Sequence, residues 1–227
     1  MKKLLLLGLL VLAAAPAFAT ERPVVVELFT SLSCSDCPPA DLLLASVRKR
    51  GPGVLALDLH VTYWNSLGWT DPYALPAVDQ LQREYAEAPG GQVYTPEAVV
   101  DGRERFIGSD SSAMAAALDK ARARIAAERG VPITLRRDAQ AITIRIERGT
   151  GQGIVWLFGF DPDLTTPVSG GENAGASLRE VNVVRSITRL GTWRGRRLQL
   201  NTRVPAGMKF AVILQKSDGT VVGAAST

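Results

Sequence analysis

The sequence predicts an α/β chain in two parts. Residues 20–130 form a first domain on a central mixed sheet, and residues 131–227 a second, antiparallel β-sandwich-like domain. Three observations carry this expectation. Before residue 130, apolar strand-like runs alternate with helix-like stretches, the pattern of strands joined by helical crossovers. After Gly130-Val131-Pro132 the apolar period becomes two, with glycine, proline or asparagine between runs. Both cysteines, Cys34 and Cys37, form a Cys-x-x-Cys between the first strand and the first helix, which is a redox-motif signal.

The chain starts with Lys2 and Lys3, an apolar run from Leu4 to Ala15, and Ala17-Phe18-Ala19. This is the pattern of a secretory signal peptide over residues 1–19, too short to span a bilayer. No cysteine follows the expected cleavage site, so no lipid anchor is expected there. The expected mature chain begins near Thr20 and has about 208 of the 227 residues, enough for one large domain or two small ones. A periplasmic or secreted location permits disulfides, and no membrane insertion is expected after cleavage. Of 26 basic residues, two lie in the leader, leaving 24 against 22 acidic ones. That balance gives no reason to expect nucleic-acid binding. Arg194-Gly195-Arg196-Arg197 reads as a solvated turn.

Val24 to Phe29 is nearly all apolar and suits a central strand covered on both faces. Glu27 interrupts it, either as a buried proton acceptor for a nearby thiol or as a strand-end acid. Pro38 and Pro39 fit a first helical turn. Leu42, Leu43, Leu44 and Val47 give that helix an apolar face, and Arg48-Lys49-Arg50-Gly51 ends it. Val54 to Val61 is a second strand, parallel to the first through a right-handed crossover. Its end and the cysteines then share one edge of the sheet. There, His60 is an acid/base group, a soft-metal ligand or a structural histidine. Tyr63, Trp64 and Trp69 line a loop that either walls the site or plugs the domain. A helix is expected over Pro72 to Ala88, a hairpin at Asp101-Gly102, and a closing helix over Ser111 to Arg129. Beyond 131, strands are expected at 133–137, 141–147, 154–160, 180–189, 196–203 and 208–215. The polar stretch Gly170 to Gly175 is a connection, a partner site or a cover for the dithiol.

A two-residue loop makes the cysteines a weak staple, worth roughly 2 kcal/mol against about 4.7 for a 100-residue loop. A helix N-terminus favours reversible chemistry instead, because its free N–H groups and partial positive charge support a thiolate. By position Cys34 is the exposed attacking thiol and Cys37 the resolving one. Asp36 between them disfavours the thiolate, which argues against a strongly oxidising site. A closed zinc site built on the cysteines would need carboxylates, since His60 is the one histidine. No metal or other cofactor is expected.

The order strand, Cys-x-x-Cys helix, strand, helix, Thr95-Pro96, hairpin, helix resembles the thioredoxin fold. There Thr95-Pro96 corresponds to the cis-proline segment that lies against the dithiol and pairs with substrate chain. More closely, the chain resembles the secreted bacterial family DUF1223. The resemblance runs through Glu27-Leu28-Phe29-Thr30-Ser31, Cys34-Ser35-Asp36-Cys37-Pro38-Pro39-Ala40-Asp41, His60-Val61-Thr62-Tyr63-Trp64, Leu67-Gly68-Trp69, Tyr94-Thr95-Pro96 and Gly108-Ser109-Asp110. It continues through Gly171-Glu172-Asn173-Ala174-Gly175 and Asn182-Val183-Val184-Arg185. It implies a thioredoxin-like domain and no particular activity. Ser35-Asp36 between the cysteines and the aromatic insert depart from ordinary thioredoxins.

The expected function is that of an exported thiol–disulfide oxidoreductase. Cys34 and Cys37 are its catalytic pair, with Glu27 as proton acceptor, and Thr95, Pro96, Tyr63, Trp64 and His60 border the substrate. Its partners would be protein thiols or disulfides, or a small thiol. The alternatives are a binding or structural module with a locked disulfide, and a copper-handling protein using Cys34, Cys37 and His60.

Overall fold

The structure, a computed structural model, describes residues 21–87, 91–128 and 130–227. The leader expected over 1–19 lies outside them, as do Ala88 and Arg129, the expected last residues of the second and third helices. In chain order the elements are β1 (Val24–Thr30), α1 (Pro38–Arg48), β2 (Val54–His60), a 3-10 turn (Tyr63–Leu67), α2 (Pro76–Ala86), β3 (Glu97–Val100), β4 (Glu104–Ile107), α3 (Ser111–Ala127), β5 (Ile133–Arg137), β6 (Ala141–Ile146), β7 (Gly153–Pro167), β8 (Ser177–Trp193), β9 (Leu198–Arg203), β10 (Lys209–Gln215) and β11 (Val221–Ser226).

A large mixed sheet runs in the order β11-β10-β7-β8-β2-β1-β3-β4, and β5-β6-β9 form a second, antiparallel sheet. β1 and β2 pair in parallel from Val24↔Val54 to Thr30↔His60, as the crossover through α1 requires. Every residue of β1 and β2 is buried, in keeping with their largely apolar runs; the exceptions Glu27, Thr30, Asp58 and His60 are buried too. The two faces of β1 separate by residue parity. Val25 and Phe29 pack with Leu57, Leu59 and the α2 residues Val78, Leu81 and Tyr85. Val24, Val26 and Leu28 pack with Ala40, Leu44 and Val47 of α1 and Met114 and Leu118 of α3. Even-numbered positions of β1 therefore face α1 and odd-numbered ones face α2.

Local chemistry sets the element ends. Pro38 and Pro76 each open a helix, where a missing N–H costs nothing. Asp110 caps α3 by accepting from the backbone N–H of Ser112 and Ala113. Asp101 and Gly102 both take positive φ (53° and 69°), the geometry of a tight hairpin between β3 and β4. α2 begins at Pro76 rather than near Pro72, because the Asp71 side chain holds a turn by accepting from the N–H of Tyr73.

The strands beyond residue 131 are antiparallel, as expected, but only three of them make a separate sheet. β7 and β8 extend to 15 and 17 residues, well past the runs legible in the sequence. With β10 and β11 they continue the first sheet, β8 lying beside β2. That junction is thin, one parallel bridge at Asp58↔Val183, supported by a hydrogen bond from Asn182 Nδ2 to Ala56 O. The small sheet packs Ile142, Ile144 and Ile146 against Leu157, Trp193, Phe210 and Val212 of the large one.

Candidate functional site

Cys34 and Cys37 are joined by a disulfide at the start of α1. The turn is held by Cys34 N–H to Ser31 O and Cys37 N–H to Cys34 O. Little donor capacity remains for a thiolate. Pro38 and Pro39 have no N–H, and those of Ala40 and Asp41 both donate to Cys37 O. The expectation of free N–H groups at this helix end is corrected by the sequence's own prolines.

The expectation of an exposed Cys34 is corrected as well: Cys34 is 1% exposed and Cys37 0%. The loop between β7 and β8 lies across them. Asn173 Nδ2 donates to Leu32 O (3.0 Å) and Cys34 O (2.8 Å). Glu172 accepts from the N–H and the hydroxyl of Ser35, which hold its carboxyl below its ordinary range, and its own N–H donates to Ser33 O. Gly171, at φ +73°, lies so close to Ser33 that a Cβ would fall 2.6 Å from the serine Cβ. Gly170 packs in the same way on Trp69 of the aromatic insert. The stretch 170–175 is thus a cover.

Thr95-Pro96 is a cis peptide bond, and Pro96 is buried. A Cβ on Gly108 would meet the Pro96 Cβ and the Ala40 Cβ, each at 3.2 Å, so the proline lies beside the first turn of α1. Trp64 Nε1 donates to Thr95 Oγ1 at 2.7 Å, tying the insert to that segment. Tyr63 is 39% exposed, and its hydroxyl donates to Gln82 Oε1 at 3.3 Å. Burial pushes this phenol up to about 12. The structure therefore sets Pro96 beside the helical turn that follows Cys37 and ties Trp64 to Thr95.

Glu27 lies elsewhere. As an odd-numbered position of β1 it faces α2, where it accepts from the Tyr85 hydroxyl (2.6 Å), itself bonded to Gln215 Nε2. Burial pushes Glu27 up to about 7, partly offset by the Tyr85 bond. The α1 face carries a different acid. Asp41, one helical turn beyond Cys37, is buried and accepts from Thr30 Oγ1. Burial pushes it up to about 7, with the Glu180 carboxylate adding to the effect. Its place at i+4 from Cys37 was readable in the sequence.

His60 is engaged by acids. Its Nδ1 lies 2.8 Å from Asp71 Oδ2, and its Nε2 faces Glu180 Oε1 (3.1 Å) and Asp58 Oδ1 (3.7 Å). Burial pulls the imidazole down, but the Glu180 and Asp71 carboxylates outweigh it and hold it well above its usual value. Burial likewise pushes Asp58 up, while His60 outweighs burial at Asp71 and holds that acid down. Asp71 also accepts from Leu32 N–H and Ser31 Oγ, so it links the histidine to the turn that carries Cys34. With both ring nitrogens turned toward carboxylates, this arrangement does not favour His60 as a ligand beside the sulfurs. Among the described residues the potential metal-holding group is Asp58, His60 and Glu180, whose ligand atoms lie within 4.8 Å of one another. Asp58-x-His60 on one strand face was legible in the sequence; Glu180, 120 residues further on, was not.

A family model described as a protein of unknown function (DUF1223) matches residues 25–222. Among curated proteins none matches the chain. A crystal structure of an Agrobacterium tumefaciens protein is similar, at 30% identity and TM-score 0.74, covering 89% of this chain and 92% of that one. HBP35 of Porphyromonas gingivalis shares the fold at 13% identity and TM-score 0.63, covering 91% of this chain and 75% of that one. Among the described residues no helix is long and apolar enough to cross a membrane.

Proposed function

This chain belongs to the DUF1223 family, and from its own dithiol we propose that it is an exported thiol–disulfide oxidoreductase of thioredoxin-like build, working on the reducing side. The observation that carries the reading is the Cys34–Cys37 pair at the head of α1 with Thr95-Pro96 beside the same helical turn.

In the reduced protein the Cys34 thiolate attacks one sulfur of a substrate disulfide. A Cys34–substrate disulfide forms, and the other substrate sulfur leaves as a thiolate that takes a proton. Cys37 then attacks Cys34 Sγ, restoring the Cys34–Cys37 bond and releasing the second substrate thiol. Two electrons pass to the substrate, and an external dithiol returns them. The direction follows from electrostatics. Strong oxidants in this chemistry stabilise their thiolate. Here the prolines remove donors, Asp36 stands between the cysteines, and the Glu172 carboxylate is bonded to Ser35.

Cys37→Ser tests the reading directly. Mixed disulfides on Cys34 are expected in exported extracts, released by dithiothreitol. A variant with no adducts under conditions that open the 171–173 cover would sink it. The burial of both sulfurs favours a second reading, a locked structural disulfide. In that case Cys34→Ser/Cys37→Ser would lose stability and no exchange activity.

A further inference from the structure

We propose that Asp58, His60 and Glu180 bind a divalent first-row transition-metal ion of the zinc or manganese class, and that this ion fastens β2 to β8. The site is built from alternate residues on one face of β2 and a single residue of β8. His60 Nε2 stands 3.1 Å from Glu180 Oε1 and 3.7 Å from Asp58 Oδ1. Ligands held at about 2.0–2.2 Å from a common ion have separations of this order. Asp71 Oδ2 lies 2.8 Å from Nδ1 and can keep a proton there while Nε2 gives its lone pair to an ion, the usual outer support of a metal-bound imidazole.

The second observation is the lack of any other partner. Among the described residues no well-directed hydrogen bond reaches His60 Nε2, either oxygen of Asp58 or either oxygen of Glu180, although all three side chains are at most 1% exposed and Nε2 meets Glu180 Oε1 as an ion pair. The buried carboxylates of Asp58 and Glu180 repel one another, and a cation between them removes that repulsion. The ion would displace the proton that the carboxylates hold at Nε2, leaving two carboxylates and a neutral imidazole to balance a dication. One nitrogen with carboxylate oxygens suits zinc, manganese or ferrous iron better than calcium or magnesium. The location supplies a role, since this is where β2 and β8 share a single bridge pair.

This inference uses neither sulfur, so it stands apart from the oxidoreductase reading. The test is metal content by mass spectrometry of the full mature chain, as purified and after refolding with zinc or manganese. About one ion per chain is expected, with the melting temperature raised by roughly 5–10 °C at 100-fold Kd. Asp58→Asn and Glu180→Gln, each nearly isosteric, should each lower affinity at least tenfold, while the exposed Asp119→Asn leaves it unchanged. Cys34→Ser/Cys37→Ser should keep the ion. Absence of binding after refolding, equal binding by the carboxamide variants, or loss of the ion from the double serine variant would each overturn the assignment. Should one carboxamide variant fail to fold, the other and the double serine variant still decide.

Discussion

Glu27 and Asp41 are buried carboxyls on opposite faces of the sheet, and β1 parity decides which one neighbours the dithiol. Glu27 belongs to the α2 face, where its raised pKa acts on stability. It is pushed from 4.5 to about 7, so the folded state holds a proton that the unfolded state releases earlier. Its contribution is fully present below pH 4.5 and is lost as pH rises through about 7. The loss amounts to roughly 3 kcal/mol for one fully buried group. Glu27→Gln should therefore gain on the wild type by about that much between pH 4.5 and pH 8 in denaturant unfolding, and a constant difference would refute the assignment. A sequence shows that Glu27 interrupts an apolar strand; it does not show the register that turns it toward Tyr85. His60 and Asp58 were readable as neighbours on one strand face, but their other partners come from the loop at Asp71 and the distant strand at Glu180.

At the scale of elements, the cover over the dithiol and the aromatic insert do the work of one lid. Asn173 contributes two hydrogen bonds to the cysteine turn and Glu172 two to Ser35. Each neutral bond is worth about 0.5–1.5 kcal/mol net. Asn173→Ala should accordingly speed reduction of the disulfide by dithiothreitol roughly tenfold and cost about 1–3 kcal/mol of unfolding free energy; an unchanged rate would mean that the loop is no barrier. Trp64→Phe keeps the ring but removes the bond to Thr95 Oγ1, and should cost about 1 kcal/mol of unfolding free energy. Local signals revealed much here. The Pro-Pro start of α1 and the Asp-Gly hairpin are short-range chemistry, and each stands in the structure near its expected place. The role of the lid is not legible locally, because Gly170–Gly175 lies more than 130 residues from Ser33 along the chain. Only the fold brings them together.

At the scale of the molecule, the large sheet passes through both segments of the chain. The period-two pattern after residue 131 identified antiparallel strands, but it carried no information on which sheet each strand would join. β11 was missed because Val221-Val222-Gly223-Ala224-Ala225 is short and small-sided. Arg22 ties the parts at the far end from the cysteines. It makes two bonds to Asp101, which is 2% exposed, and reaches Val221 O. Arg22→Ala leaves that acid buried without its cation and should cost roughly 3 kcal/mol in global unfolding, seen at every spectroscopic probe at once. Two separated transitions would mean instead that the sheet is not one cooperative unit.

The most direct measurement is the equilibrium reduction potential of the Cys34–Cys37 couple in the intact mature protein, read against a glutathione or thioredoxin couple. A working reductant with a sparsely stabilised thiolate should equilibrate between about −200 and −300 mV. A pair that stays oxidised below about −300 mV, even after Asn173→Ala opens the lid, would have the poise of a structural disulfide and would contradict a redox role.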